Sequence, residues 1–250
     1  MDIEPITIQF PDGEVSGLFE IPDRDRGHQV FLLAHGAGLA MDSPFMATVA
    51  AGICAAGYPL LRFNYAYAER MQREGKRRPP DRRPQLELVH LAALEALHER
   101  YPQRPVILAG KSMGGRMSSL LAAAGTPCAG LVFFGYPLHA PRRTDRLRSE
   151  HFPQIHQPSL FLQGTRDALC QLDLLTEEVR SLSGATTVVR IEDADHDFKL
   201  PKRAGRSRDE VLEELVQTAV RWTQGTQGTQ GTQGTPGTPG TQGTPGTPGT

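Results

Sequence analysis

Residues 105–124 read PVILAGKSMGGRMSSLLAAA. An apolar run from Val106 to Ala109 meets glycines on either side of one serine, then a leucine- and alanine-rich stretch that favours a helix. Gly110-Lys111-Ser112-Met113-Gly114 fits the pattern G-x-S-x-G, which Gly115 extends. The pattern has a mechanical reason: a strand turning sharply into a helix holds the serine in strained geometry with its hydroxyl exposed. The flanking glycines let strand and helix approach each other closely. The expected order around Ser112 is strand, turn, helix, the context in which this pattern marks a nucleophile.

Similar short apolar runs recur on both sides. ITIQF (6–10) and EVSGLFE (14–20), separated by PDG, read as an antiparallel hairpin. QVFLLAHG, YPLLRFNY, PVILAG, GLVFFGYP, PSLFLQG and TTVVRIEDADH give six further strands. Helical stretches at 43–56, 85–100, 113–124, 170–182 and 207–222 separate most of them. This alternation predicts an α/β fold with a mostly parallel sheet covered on both faces, whose functional loops follow the carboxyl ends of the strands.

Two segments fit neither pattern. Residues 69–85, ERMQREGKRRPPDRRPQ, hold seven Arg or Lys against three acids and read as an irregular, Arg-rich loop or an anion or partner surface. Residues 137–157 join two strands without helical period and are long enough for a minimal lid. The last 28 residues, 223–250, repeat TQG or TPG with no side chain able to anchor a core. A domain over 1–222 and a disordered low-complexity tail over 223–250 are expected.

Composition excludes several classes. With 27 basic and 28 acidic side chains, no global field favours nucleic acid or an anionic membrane. Tyr65 and Tyr67 lie near the basic run and could stack on bases, but no basic stripe extends along the chain. Cys54, Cys128 and Cys170 lie far apart without a CxxC pair, so structural disulfides are not expected. The opening MDIEPITIQFPDGEV carries acids where a signal peptide has a positive start, and no apolar run is long enough to span a bilayer. The expectation is a cytoplasmic protein, not a membrane one. No zinc-like ligand cluster and no G-x-G-x-x-G after a strand are present, so no metal or organic cofactor is expected.

A serine hydroxyl needs a base within hydrogen-bond reach. His196, in IEDADHDFKLP, follows the last strand, and Asp167, in SLFLQGTRDAL, follows the strand before it. Asp193, Asp195 and Asp197 crowd the histidine, but their adjacency makes it hard for their side chains to reach its far nitrogen. The order Ser112, Asp167, His196 is that of α/β-hydrolases. For the oxyanion, the elbow offers the backbone N–H of Met113. The loop His35-Gly36-Ala37-Gly38 offers a second, from Ala37 or less readily Gly36. His35 itself fits a structural, hydrogen-bonded histidine better than a base.

These residues resemble the α/β-hydrolase superfamily, most closely small dienelactone-hydrolase-like predicted hydrolases that include testis-expressed homologues. The resemblance rests on HGAG (35–38), FNYAYAERMQREGKRRPPDR (63–82), GKSMGGRM (110–117), FFGYPLH (133–139), GTRD (164–167) and ADHDFK (194–199). It implies a Ser112-His196-Asp167 triad and an eight-stranded sheet whose second strand is antiparallel. The chain departs from relatives after GTRD, where ALC replaces a proline and a glycine. True dienelactone hydrolases use a cysteine where this chain has Ser112, so dienelactone is not an expected substrate.

Two function classes follow. One is a serine hydrolase acting on a small-molecule ester or thioester through an acyl-enzyme. The other is a non-catalytic interaction protein on the same fold, its working surfaces the Arg-rich loop and the tail. Arg142, Arg143, Arg146 and Arg148 in the lid segment fit either an anionic acyl donor or an exposed turn.

Overall fold

The computed structural model describes residues 1–26 and 28–226. The chain enters through a hairpin of β1 (Asp2–Phe10) and β2 (Gly13–Ile21), paired from Asp2↔Ile21 to Phe10↔Gly13. Alternation follows: β3 (Val30–Ala34), α1 (Pro44–Ala55), β4 (Leu60–Phe63), α2 (Ala66–Glu74), α3 (Arg83–Arg100), β5 (Val106–Lys111), α4 (Met113–Ala123) and β6 (Gly130–Phe134). A small hairpin, β7 (His139–Ala140) and β8 (Arg143–Leu147), precedes β9 (Ser159–Gly164), α5 (Leu172–Glu178), β10 (Thr186–Ile191) and α6 (Arg208–Thr226).

The main sheet has eight strands in the order β1-β2-β4-β3-β5-β6-β9-β10. β2 runs antiparallel to both its neighbours, and the remaining pairs are parallel. The central strands are buried along their whole length, which is why they read as unbroken apolar runs rather than alternating ones. Side chains still alternate between faces. In β3, Val30, Leu32 and Ala34 pack into the layer shared with α3 and α4, while Phe31 and Leu33 pack into the layer shared with α1 and α6. From β3 the chain goes to β4 on one side and later to β5 on the other. The loops after β3 and β5 therefore open a crevice at the carboxyl edge.

Four segments differ from the expectation. The Arg-rich stretch 69–85 is irregular only at 75–82: α2 extends through Glu74 and closes on left-handed Gly75, φ 62°, and α3 begins at Arg83 with Pro84 in its first turn. The prolines at 79 and 80 break the middle alone. The helix expected over 170–182 ends at Glu178 and tightens into a 3₁₀ turn at Val179–Ser181. Segment 137–157 folds as the β7/β8 hairpin plus a 3₁₀ turn at Phe152–Gln154. Finally, α6 runs four residues past Trp222 to Thr226, because Thr223 is buried and its Oγ1 donates to the Ala219 carbonyl at 2.8 Å. The rest of the repeat, 227–250, lies outside the described residues.

Cys54, Cys128 and Cys170 are free thiols. Tyr65 and Tyr67 are fully buried and offer no stacking surface for bases. No described helix is long and apolar enough to cross a membrane.

Candidate active site

Ser112 sits between β5 and α4 with φ 49° and ψ −111°, a positive φ that an L-residue adopts only where its surroundings force it. The glycines explain how. A methyl on Gly114 would lie 2.3 Å from the Ala34 carbonyl oxygen, and one on Gly110 would lie 2.3 Å from the Gly115 nitrogen. Neither gap admits a side chain, so strand, turn and helix meet only because these positions are bare.

The loops after β9 and β10 bring in the two other predicted residues. Ser112 Oγ donates to His196 Nε2 at 2.8 Å, and His196 Nδ1 donates to Asp167 Oδ2 at 2.7 Å. The three side chains that the sequence paired across 84 positions form one hydrogen-bonded chain. The Asp167 side chain is fully buried and accepts two more bonds, from Gln163 Nε2 at 2.6 Å and the Leu169 amide at 2.7 Å. Gln163 is held in that orientation because its Oε1 accepts the Tyr136 amide at 2.8 Å. A buried carboxylate without such donors would be costly; here its lone pairs are occupied.

The competing aspartates are engaged elsewhere. Asp195 Oδ1 accepts the amides of Asp197 and Lys199 at 2.9 and 2.8 Å, shaping the turn that presents His196. Asp197 pairs with Lys199 at 3.3 Å. Asp193 takes a left-handed turn, φ 57°, with its amide on Thr165 Oγ1.

Ala37, Ser112 and Met113 line one cleft of about 330 Å³. The Met113 amide, first in α4, has no intrahelical acceptor. The Gly36 carbonyl accepts from His35 Nδ1 at 2.9 Å, Tyr67 Oη at 3.1 Å and the Leu39 amide at 3.2 Å. Because the peptide is trans, the Ala37 N–H points opposite to that carbonyl, away from all three donors. His35 is structural: its Nε2 accepts the Tyr65 amide at 3.1 Å, and burial lowers its pKa to about 4, keeping the ring neutral.

Sequence reasoning gave Lys111 and Gln163 no role and weighed Tyr67 only as a stacking residue beside the basic run. Lys111, 2% exposed, lies against the Phe45 and Phe198 rings and donates from Nζ to the His196 carbonyl at 2.6 Å. Burial lowers its pKa to about 8, opposed by Asp167, Asp197 and Asp195. The one signal in the sequence was a cation inside an otherwise apolar strand end. Gln163 left the same trace in SLFLQG. Among the described residues, no group of three or more His, Cys, Asp or Glu is arranged to hold a metal ion.

A strand-to-helix turn carrying Ser112 at the end of a central parallel strand, with Asp167 and His196 in the loops after the last two strands, is the arrangement of an α/β-hydrolase. The alpha/beta hydrolase domain family matches residues 27–224, and the chain belongs to that family. Solved structures agree in fold. An alpha-beta serine hydrolase homologue from Coxiella burnetii is 22% identical with TM-score 0.69, covering 86% of this chain and 96% of its own. Dienelactone hydrolase from Anabaena variabilis is 20% identical with TM-score 0.69, covering 90% and 97%. A serine hydrolase without lid from Xanthomonas campestris is 20% identical with TM-score 0.65, covering 89% and 95%.

Proposed function

We propose that this protein is a cytoplasmic serine hydrolase that cleaves a small-molecule carboxylic ester or thioester with no metal or organic cofactor. The observation that carries the reading is the unbroken chain Ser112 Oγ, His196 Nε2, His196 Nδ1, Asp167 Oδ2, at 2.8 and 2.7 Å. Ser112 Oγ attacks the carbonyl carbon while His196 Nε2 takes its proton. Asp167 holds the tautomer and stabilises the imidazolium. The oxyanion accepts from the Met113 and Ala37 amides, each worth about 3 kcal/mol of barrier. His196 then protonates the departing alcohol or thiol, leaving an acyl-Ser112 ester. Water, deprotonated by His196, hydrolyses that ester and returns the proton to Ser112.

The test is labelling of purified protein with a fluorophosphonate probe, alongside turnover of 4-nitrophenyl acetate, for wild type, Ser112→Ala and His196→Ala. The expected result is labelling lost in Ser112→Ala and turnover lowered about 10⁴-fold or more in both variants. A folded wild type that does not label would replace this reading with that of an interaction protein.

A further inference from the structure

The cleft beside Ser112 is walled partly by Pro80 and Leu86 and partly by Met113 and Met117, yet three guanidinium-bearing residues also line it: Arg83, Arg116 and Arg148. Their surroundings differ. Arg83 pairs with Glu87 at 2.6 Å, and the cleft's one acid, Asp81, pairs with Arg70. Arg116 and Arg148 form no ion pair among the described residues. Arg148 Nη1 donates to the Pro137 carbonyl at 3.3 Å, while Arg116 Nε is buried with no hydrogen-bond partner. The two cations act on each other: burial first, and then Arg116, lower the pKa of Arg148.

Two half-buried like charges without a carboxylate destabilise the free protein, because desolvation and repulsion are uncompensated. Arg78, Arg100, Arg104 and Arg180 each have a carboxylate partner nearby. Arg116 and Arg148, half-buried and without one, line the cleft beside Ser112 where its substrate would sit. A guanidinium fork matches a carboxylate or a phosphate with two parallel bonds. The cleft volume of about 330 Å³ is at the small end for ligand sites, which favours a short acyl group.

Resting on the hydrolase reading above, we propose that Arg116 and Arg148 form an anion subsite. It selects short esters or thioesters that carry a carboxylate or phosphate a few atoms from the scissile carbonyl. Of the two readings open for the lid arginines, the exposed turn holds for Arg142, Arg143 and Arg146, Arg143 being paired with Asp145, and only Arg148 lines the cleft.

The experiment compares mono-4-nitrophenyl glutarate, an anion, with neutral 4-nitrophenyl butyrate for wild type, Arg116→Gln, Arg148→Gln and Ser112→Ala. In each arginine variant the ratio of kcat/KM for the anionic ester to that for the neutral one should fall about tenfold or more, mainly through KM. The fluorophosphonate labelling rate of each variant reports whether its nucleophile remains assembled, and either arginine variant alone suffices. Inhibition of butyrate turnover by free glutarate and by inorganic phosphate separates the two anion sources: the stronger competitor identifies the group, and competition must weaken in each arginine variant whose nucleophile still labels. A ratio within about twofold of wild type, or no competition by either anion, overturns the subsite and leaves the hydrolase standing. Absence of wild-type labelling and turnover overturns the hydrolase reading itself, and the subsite with it.

Discussion

Lys111 Nζ donates to the backbone carbonyl of His196 at 2.6 Å, so the residue before Ser112 also holds the loop that carries His196. The bond spans 85 positions and ties the end of β5 to the turn after β10. Lys111 lies against the rings of Phe45 and Phe198 and is 2% exposed, a low-dielectric setting that makes the contact strong and the charge costly.

Lys111→Met keeps the aliphatic stem between the rings and removes the donor. We expect kcat to fall roughly tenfold to a hundredfold as His196 loses its fixed place. Stability gives a second readout. The folded-state pKa, about 8, lies below the ordinary 10.5, so between those values the unfolded chain binds a proton that the folded chain has released. Wild-type stability should therefore rise with pH across that window, relative to the variant, with the gain fully lost once pH has fallen through about 8 and no dependence below it. Urea midpoints at pH 8 and pH 10 check it; parallel changes in the two proteins would contradict it.

Tyr67 Oη donates to the Gly36 carbonyl at 3.1 Å, fixing the peptide that precedes Ala37. Tyr67→Phe keeps the ring and loses that bond. The expected effect is about a tenfold lower kcat with KM little changed, since an oxyanion donor acts on the transition state, and about 1 kcal/mol less stability. Steady-state kinetics on one ester decides it: a change confined to KM would argue against an Ala37 donor.

Gly114→Ala places a methyl 2.3 Å from the Ala34 carbonyl oxygen, a backbone atom that no rotamer change can move aside. Overpacking ordinarily costs about 1–3 kcal/mol, and this case should reach or pass the upper end. Chemical denaturation should show the loss. A near-wild-type midpoint would mean that the elbow is looser than its geometry implies.

Buried His35 and His90, with half-buried His151, make the fold acid-sensitive. Burial lowers His35 and His151 to about 4 and His90 to about 3, all from 6.5. Their folded pKa values lie below the unfolded one, so from pH 6.5 down to about 4 the unfolded chain takes up protons that the folded chain refuses. Stability should fall across that window with a slope approaching uptake of roughly two to three protons. Denaturation at pH 7 and pH 5 measures it, and equal free energies at the two values would sink the prediction.

What the sequence determined by itself was whatever depends on neighbours along the chain. The apolar runs at 30–34, 106–111 and 159–164 specify buried strands because every residue in them must leave water. Gly110, Ser112 and Gly114 specify the elbow because strain and close approach are local demands on backbone geometry. Ser112, Asp167 and His196 were legible because each follows a strand, and parallel strands end on one edge. Less local features were read poorly. The Arg-rich stretch looked irregular throughout because charge masked the short helix that Gly75 closes. Only tertiary packing decided which arginines face the cleft, that Lys111 reaches His196, and that Gln163 and Tyr67 orient their neighbours. These contacts join residues 4 to 85 positions apart through strand register and loop path. Sequence periodicity records burial but not the direction of a polar side chain at a strand end, and that direction builds the site.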